Sequence, residues 1–251
     1  MKKILSLGGG VQSSTIYLMS LKNKIHIDLA IFADTGNETK KTYKYIEYLK
    51  SFGKDNIVIL RERNIINDLN KQIQKKEKLI YSPPFWIRNE DGKHGFLRQQ
   101  CTDNYKIKPI NRYIKSLGEK QVDLLIGISI DEIHRLKPSR VKYINHEYPL
   151  IQKRLNRNDC LDWIQRNGFK LPVKSGCIIC PYASSENYKE LDESEKSLLI
   201  DFDNRLRNSH YKEKDTYYIN PKFIPIEKII KNENDQQELD FGGCDSGLCF
   251  I

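Results

Sequence analysis

The chain of 251 residues carries 42 lysines and arginines against 33 acids, a formal net charge of +9, and is 39% hydrophobic. That is enough apolar material for one large domain or a domain with an appendage, and no stretch approaches the roughly 20 apolar residues of a membrane span. Residues 1–7 lack the apolar region and cleavage site of a signal peptide, so a cytoplasmic protein that meets no membrane is expected; the positive charge favours an anionic partner, a nucleotide or a nucleic acid.

In chain order, the apolar run 4–7 enters Gly8-Gly9-Gly10 and then Val11-Gln12-Ser13-Ser14, after which 15–19 reads as helix. A strand, a glycine turn and a hydroxyl-bearing helix start build a phosphate site, because glycines let the backbone approach an anion and the first helical N–H groups point at it. A buried strand over 27–33 ends at Asp34-Thr35-Gly36-Asn37. The spacing predicts a helix over 39–52, with Tyr43, Ile46 and Leu49 on one face and Gly53 as its stop. A strand at 56–60 and a helix at 65–76, with Ile66, Leu69 and Ile73 at core positions, follow. This alternation implies a parallel sheet with right-handed crossovers.

Residues 81–97, with Pro83-Pro84 and Asp91-Gly92, break the pattern and read as a long loop or small excursion of the kind that covers a site. A helix over 105–117 should start near Lys108, because of Pro109. The buried strand 122–128, which includes Gly127, runs into Ser129, Asp131, Glu132 and Arg135. The character changes near residue 145. The expected organisation is therefore an α/β, parallel-sheet, Rossmann-like nucleotide-binding domain over 1–145 and a smaller, helical, cysteine-containing region over 146–251. In the latter, 159–167 reads as a helix capped by Asn158 and closed by Gly168, and 194–208 as another. The acidic tail 231–251 ends in Cys244-Asp245-Ser246-Gly247-Leu248-Cys249.

Six cysteines in a cytosolic chain suit metal binding or redox chemistry better than structural disulfides. Cys177 and Cys180 form a C-x-x-C between Gly176 and Pro181, a two-point thiolate claw, whereas Cys160 beside Leu161 and Ile164 reads as a core residue. Four thiolates would suit zinc or an iron–sulfur cluster equally. The lysine of a Walker loop is missing. Gly8-Gly9-Gly10-Val11-Gln12-Ser13 fits G-x-G-x-x-G only with serine in the last place; with Asp34 at the next strand end it leaves a Rossmann NAD-dependent oxidoreductase as one alternative. Another is a non-catalytic nucleotide- or nucleic-acid-binding module with structural zinc.

The same loop resembles the S-G-G-x-D-S loop of the PP-loop superfamily (adenine nucleotide alpha hydrolase-like), with Gly8 for serine and Gln12 for aspartate. Further landmarks fall in order and resemble the phosphoadenosine phosphosulfate (PAPS) reductase branch. These are Asp34-Thr35-Gly36, Cys101 with Lys106 and Pro109, Gly127-Ile128 with Asp131-Glu132, and Cys177-Ile178-Ile179-Cys180-Pro181, so the resemblance covers about residues 3–182.

The resemblance implies that Ser6, Gly8, Gly9, Gly10, Gln12, Ser13 and Ser14 hold ATP or a PAPS-type adenine nucleotide. Ala33, Asp34, Thr35 and Gly36 would lie beside the adenosine, with Arg98, Lys106, Gly127 and Arg135 completing the site. Asp131 and Glu132 could carry Mg²⁺ with the nucleotide, and Asp131 is a candidate catalytic residue. The resemblance tips the metal expectation towards a 4Fe-4S cluster on Cys101, Cys177, Cys180 and Cys244, with Zn²⁺ as the alternative. Cys244 or Cys249 is the candidate catalytic thiol. The expected function is sulfur-linked nucleotide chemistry. It is either ATP-dependent adenylation and thiolation of an RNA or DNA nucleobase or a small molecule, or sulfonucleotide reduction, and a sulfur or electron donor protein would serve it.

Overall fold

The computed structural model describes residues 1–53, 56–209 and 215–231. Five strands form a parallel sheet: β1 (Lys2–Ser6), β2 (Leu29–Ala33), β3 (Ile57–Leu60), β6 (Val122–Ile126) and β7 (Ile144–Glu147), in the order β3-β2-β1-β6-β7. Their near-continuous apolar runs follow from burial on both faces. Successive side chains alternate, so Leu5, Phe32 and Leu125 enter one core cluster while Ile4, Ile31 and Leu124 enter the opposite one. Helices α1 (Val11–Leu21), α2 (Lys40–Lys50) and α6 (Arg157–Arg166) contribute to the first cluster, and α4 (Lys108–Ser116) to the second.

A third core cluster is built from α3 (Ile65–Gln74), α7 (Ser185–Lys189), α8 (Glu193–Arg207), α9 (Ile226–Ile230) and the segment between α6 and α7. The remaining helix, α5 (Pro149–Gln152), is a single turn after β7. The change of character placed near residue 145 falls inside β7, and α6 packs on α1.

One local expectation is corrected and two are sharpened. Of the two readings of residues 81–97, the small excursion holds. These residues hold the hairpin β4 (Trp86–Asn89) and β5 (His94–Phe96), which pairs antiparallel with β8 (Asp215–Tyr218) in a separate sheet of order β5-β4-β8. The α6 cap is Asn156, not Asn158. Its side chain accepts from Asp159 N while Asp159 accepts from Asn156 N, a reciprocal box that Asn158 does not make. The helix of 105–117 is preceded by a π-helical turn, Asp103–Ile107, before α4 begins at Lys108 as expected.

Candidate functional site

The sheet order reverses at β1, which pairs with β2 on one side and β6 on the other. In open parallel sheets ligands bind outside the carboxyl ends of the strands at this switch point. Here the two strand ends continue into Gly8–Gly10 and Gly127–Ser129, flanking the start of α1. Gly10 is the N-cap and offers no side chain, so no side chain caps the first turn of α1. The loop is held by Ser13 Oγ, which accepts from Gly8 N at 3.1 Å and donates to Gly10 O at 3.4 Å. Gly9 has φ +76°, a left-handed turn that glycine tolerates.

An open cleft with about 1000 Å³ of empty space, solvent at its mouth included, lies over this helix start. Of the residues singled out from the sequence, Ser6, Gly8, Gly10, Gln12, Ser13, Thr35, Cys101, Lys106, Gly127, Glu132, Arg135, Cys177 and Cys180 line it. Gly9, Ser14, Ala33, Asp34, Gly36, Arg98 and Asp131 do not. Cys244 and Cys249 lie outside the described residues.

Two of the residues away from the cleft, Asp34 and Asp131, are engaged elsewhere. The Asp34 carboxylate is buried, accepts from Gly36 N and Tyr43 Oη at 2.7 Å each, and takes Arg61 Nε at 2.7 Å. It is a strand-end clamp with no oxygen left over for a ribose. Arg98 is exposed. Asp131 is exposed and its Oδ2 accepts from Arg157 N at 3.4 Å, whereas neighbouring Glu132 is buried in the cleft wall. Asp131 is thus turned to solvent and Glu132 to the interior.

Gln12 replaces the usual loop aspartate and has a physical role. Its amide donates to Ser129 Oγ at 3.4 Å and Glu132 Oε2 at 3.3 Å, and its carbonyl oxygen accepts from Arg157 Nη1 at 3.3 Å. An aspartate in that position would set two carboxylates against each other. Glu132 pairs with Arg135 at 2.9 Å, both nearly out of solvent, and burial pushes the Glu132 carboxyl up while Arg135 pulls it down. Arg135 Nε and Glu132 Oε1 are buried without a hydrogen-bond partner, so this pair in the cleft wall keeps unused polar capacity.

The opposite wall carries the thiols. The π-helical turn presents Lys106, whose ammonium lies 3.4 Å from the fully buried Glu38 carboxylate. Thr35 Oγ1 donates to Glu38 Oε1 at 3.2 Å and sits 3.1 Å from Cys177 Sγ, itself 3.6 Å from Glu38 Oε1. Burial, reinforced by Glu38, pushes the Cys177 thiol well above its ordinary range. The C-x-x-C segment reaches β2's exit through a bridge between Glu38 and Cys177, with Thr39 N donating to Gly176 O. Glu38 was not picked out from the sequence, because an acid after a turn carries no signal of burial. Gln99 and Tyr182 line the cleft as well and were not picked out as site residues, because neither residue type at those positions signals a ligand.

Soft thiols from Cys101, Cys177 and Cys180 suit zinc or iron–sulfur chemistry. Among the described residues, however, no three such donors stand at ligating spacing, and the Cys177 sulfur is engaged by Thr35 and Glu38. The donor types fit a metal and the described geometry does not close a ligand set.

The sequence profile of the phosphoadenosine phosphosulfate reductase domain matches residues 2–147. No curated protein sequence gives a significant match. Among solved structures, the phosphate complex of phosphoadenylyl-sulfate (PAPS) reductase from Candida auris aligns with TM-score 0.46 at 17% identity, over 68% of this chain and 75% of that one. The U34-tRNA thiolase NcsA from Methanococcus maripaludis, with its 4Fe-4S cluster, aligns with TM-score 0.42 at 15% identity, over 98% of this chain and 80% of that one.

Proposed function

The chain belongs to the phosphoadenosine phosphosulfate reductase domain family, and from that membership we propose that its cleft binds an adenine nucleotide and performs sulfur-linked chemistry at the phosphate end. One observation carries the reading: the uncapped N-terminus of α1 and the thiols of Cys101, Cys177 and Cys180 line a single cleft. Phosphate or sulfate oxygens would take the first N–H groups of α1, where the helix dipole favours negative charge. Arg135 supplies a fork of donors and Lys106 a point charge on the thiol side.

Two reactions fit this arrangement. In the first, a substrate oxygen attacks the α-phosphorus of ATP, pyrophosphate leaves, and a sulfur nucleophile displaces AMP. The acceptor is a nucleobase or a small molecule. In the second, a cysteine thiolate attacks the sulfur of a sulfonucleotide and the nucleoside phosphate leaves on the broken S–O bond. A second thiol then displaces sulfite and closes a disulfide, so the two thiols supply both electrons. Cys244 or Cys249 is the proposed attacking thiol. Cys101, Cys177 and Cys180 with Cys244 are proposed as ligands of an iron–sulfur cluster or zinc, and no step here depends on that metal.

Calorimetric titration with ATP, adenosine 5′-phosphosulfate, PAPS and NADH tests the reading. Binding of one of the first three, weakened at least tenfold by Arg135→Met, is expected. Binding of NADH alone would overturn it in favour of a dinucleotide enzyme, for which the fully engaged Asp34 carboxylate is unsuited. Release of pyrophosphate against release of sulfite then separates the two reactions. No turnover, with zinc in the anaerobically purified protein, would support a binding module.

A further inference from the structure

The small sheet β5-β4-β8 has two unlike faces. Register pairs Ile87 with Tyr217, and both pack into the third core cluster. The alternate residues Trp86, Arg88, His94, Phe96 and Tyr218 belong to the other face, because Trp86 pairs with Phe96 and Tyr218, and Arg88 with His94. Phe223 lies on that second face. Its ring stacks on His94 with centroids 4.3 Å apart and meets Tyr218 edge-on at 5.7 Å, and the Arg88 guanidinium stands 4.9 Å from its centroid.

This layer is not a core. Phe96 is 67% exposed and His94 is exposed. Phe223 has φ +55°, a left-handed conformation that costs a bulky residue energy and persists only where its surroundings fix it. The buried Asn220 side chain holds it, accepting from Lys222 N at 3.1 Å and donating to Ile224 O at 2.6 Å. Arg88 Nε is buried without a hydrogen-bond partner.

We propose that this face is a stacking platform for the unpaired bases of a single-stranded nucleic acid. Preset aromatic rings beside an arginine plane are what unstacked bases recognise, whatever their sequence. Arg88 and His94 stand on the face, and Lys93, Arg98 and Lys222 lie beside its segments in the sequence, against Glu90 and Asp91 at the hairpin tip and Asp215 at a strand end, in a chain of net charge +9. The hairpin that carries the rings is joined to the cleft wall at both ends: Pro84, two residues before Trp86, and Gln99, three residues after Phe96, line the cleft. The substrate class rests on the nucleobase arm of the function proposed above, but the binding itself needs no nucleotide.

Fluorescence anisotropy with a short labelled single-stranded RNA, the DNA of the same sequence and the matching duplex tests the platform in the nucleotide-free protein. Its outcome is thus read separately from nucleotide binding. Single strands should bind in preference to the duplex, and the RNA and DNA arms identify which is the ligand. Phe96→Ala and Phe223→Gly should each weaken binding at least about fivefold, the loss of roughly one stacked base. Phe223→Gly should remain folded, because glycine accepts that φ without strain. In a Trp163→Phe background, Trp86 emission should be quenched at saturation. Unchanged affinity in both variants, unchanged Trp86 emission, or a protein that occupies this face while neither RNA nor DNA binds would overturn the proposal.

Discussion

Gly127→Ala is the sharpest single test of how the nucleotide cleft is built. Gly127 sits where β6 ends, and a Cβ added there would stand 2.6 Å from Ser13 N, 2.8 Å from Ser13 Cα and 3.0 Å from Gln12 C. These are backbone atoms of the first turn of α1, so no side chain can swing aside. A carbon pair prefers about 3.5 Å, so relief requires α1 and β6 to part by roughly 0.7 Å. Overpacking of this kind costs about 1–3 kcal/mol, which for a chain this long lowers Tm by roughly 2–4 °C per kcal/mol. The same displacement moves the first N–H groups away from their anion, so nucleotide affinity should fall with the stability. Gly176→Ala is the control: that glycine lines the same cleft, has no backbone requirement for glycine, and its added Cβ meets nothing within 4 Å. Differential scanning calorimetry and nucleotide titration of both variants give the answer. A Gly127→Ala protein with the Tm and affinity of the parent would refute the close approach as the determinant of the site.

Three further outcomes are expected. Lys106→Met leaves the buried Glu38 carboxylate uncompensated and should cost about 3 kcal/mol in urea unfolding. Adding Glu38→Gln should restore part of that loss, and strict additivity of the two would refute the pairing. Burial pushes the Asp203 carboxyl above its ordinary value despite Ile226 N and Arg207, so its contribution is full below the unfolded pKa and is lost as pH rises through the folded one. The Tm difference, Asp203→Asn minus parent, should therefore become more positive between pH 4.5 and 7; a constant difference would count against the burial argument. The Cys160 thiol, wholly buried and pushed up to about 11, should resist alkylation at pH 8 until the protein unfolds, and rapid labelling of the native protein would contradict its core placement.

The parallel sheet was legible because strands covered on both faces are written as apolar runs, and 122–126 is buried at every position. The small sheet was not, because β4 reads Trp-Ile-Arg-Asn, β5 is three residues long, and their partner β8 lies far downstream. No local pattern announces a strand whose pairing is so distant. At the site, the glycine loop and the cysteine pair were readable from spacing. The division of labour between Asp131 and Glu132 was not, because adjacent side chains leave a tight 3-10 turn in different directions, one into solvent and one into the wall. Likewise Asp34 matched its motif yet spends its carboxylate on Arg61, Tyr43 and Gly36.

The π-helical turn at Asp103–Ile107 has a consequence for the phase of the whole helical segment. In a regular α-helix, residues five positions apart diverge by about 140° around the axis, so Cys101 and Lys106 could not both face one side. Widening to i→i+5 bonds brings such residues nearly into line, and both line the cleft. The same extra residue leaves Ile110 and Ile114 of α4 aimed at the sheet. One inserted position thus lets a single helical rod serve two masters whose angular demands are incommensurate. Deleting any one residue of the turn would force the chain to choose between the thiol wall and its own packing.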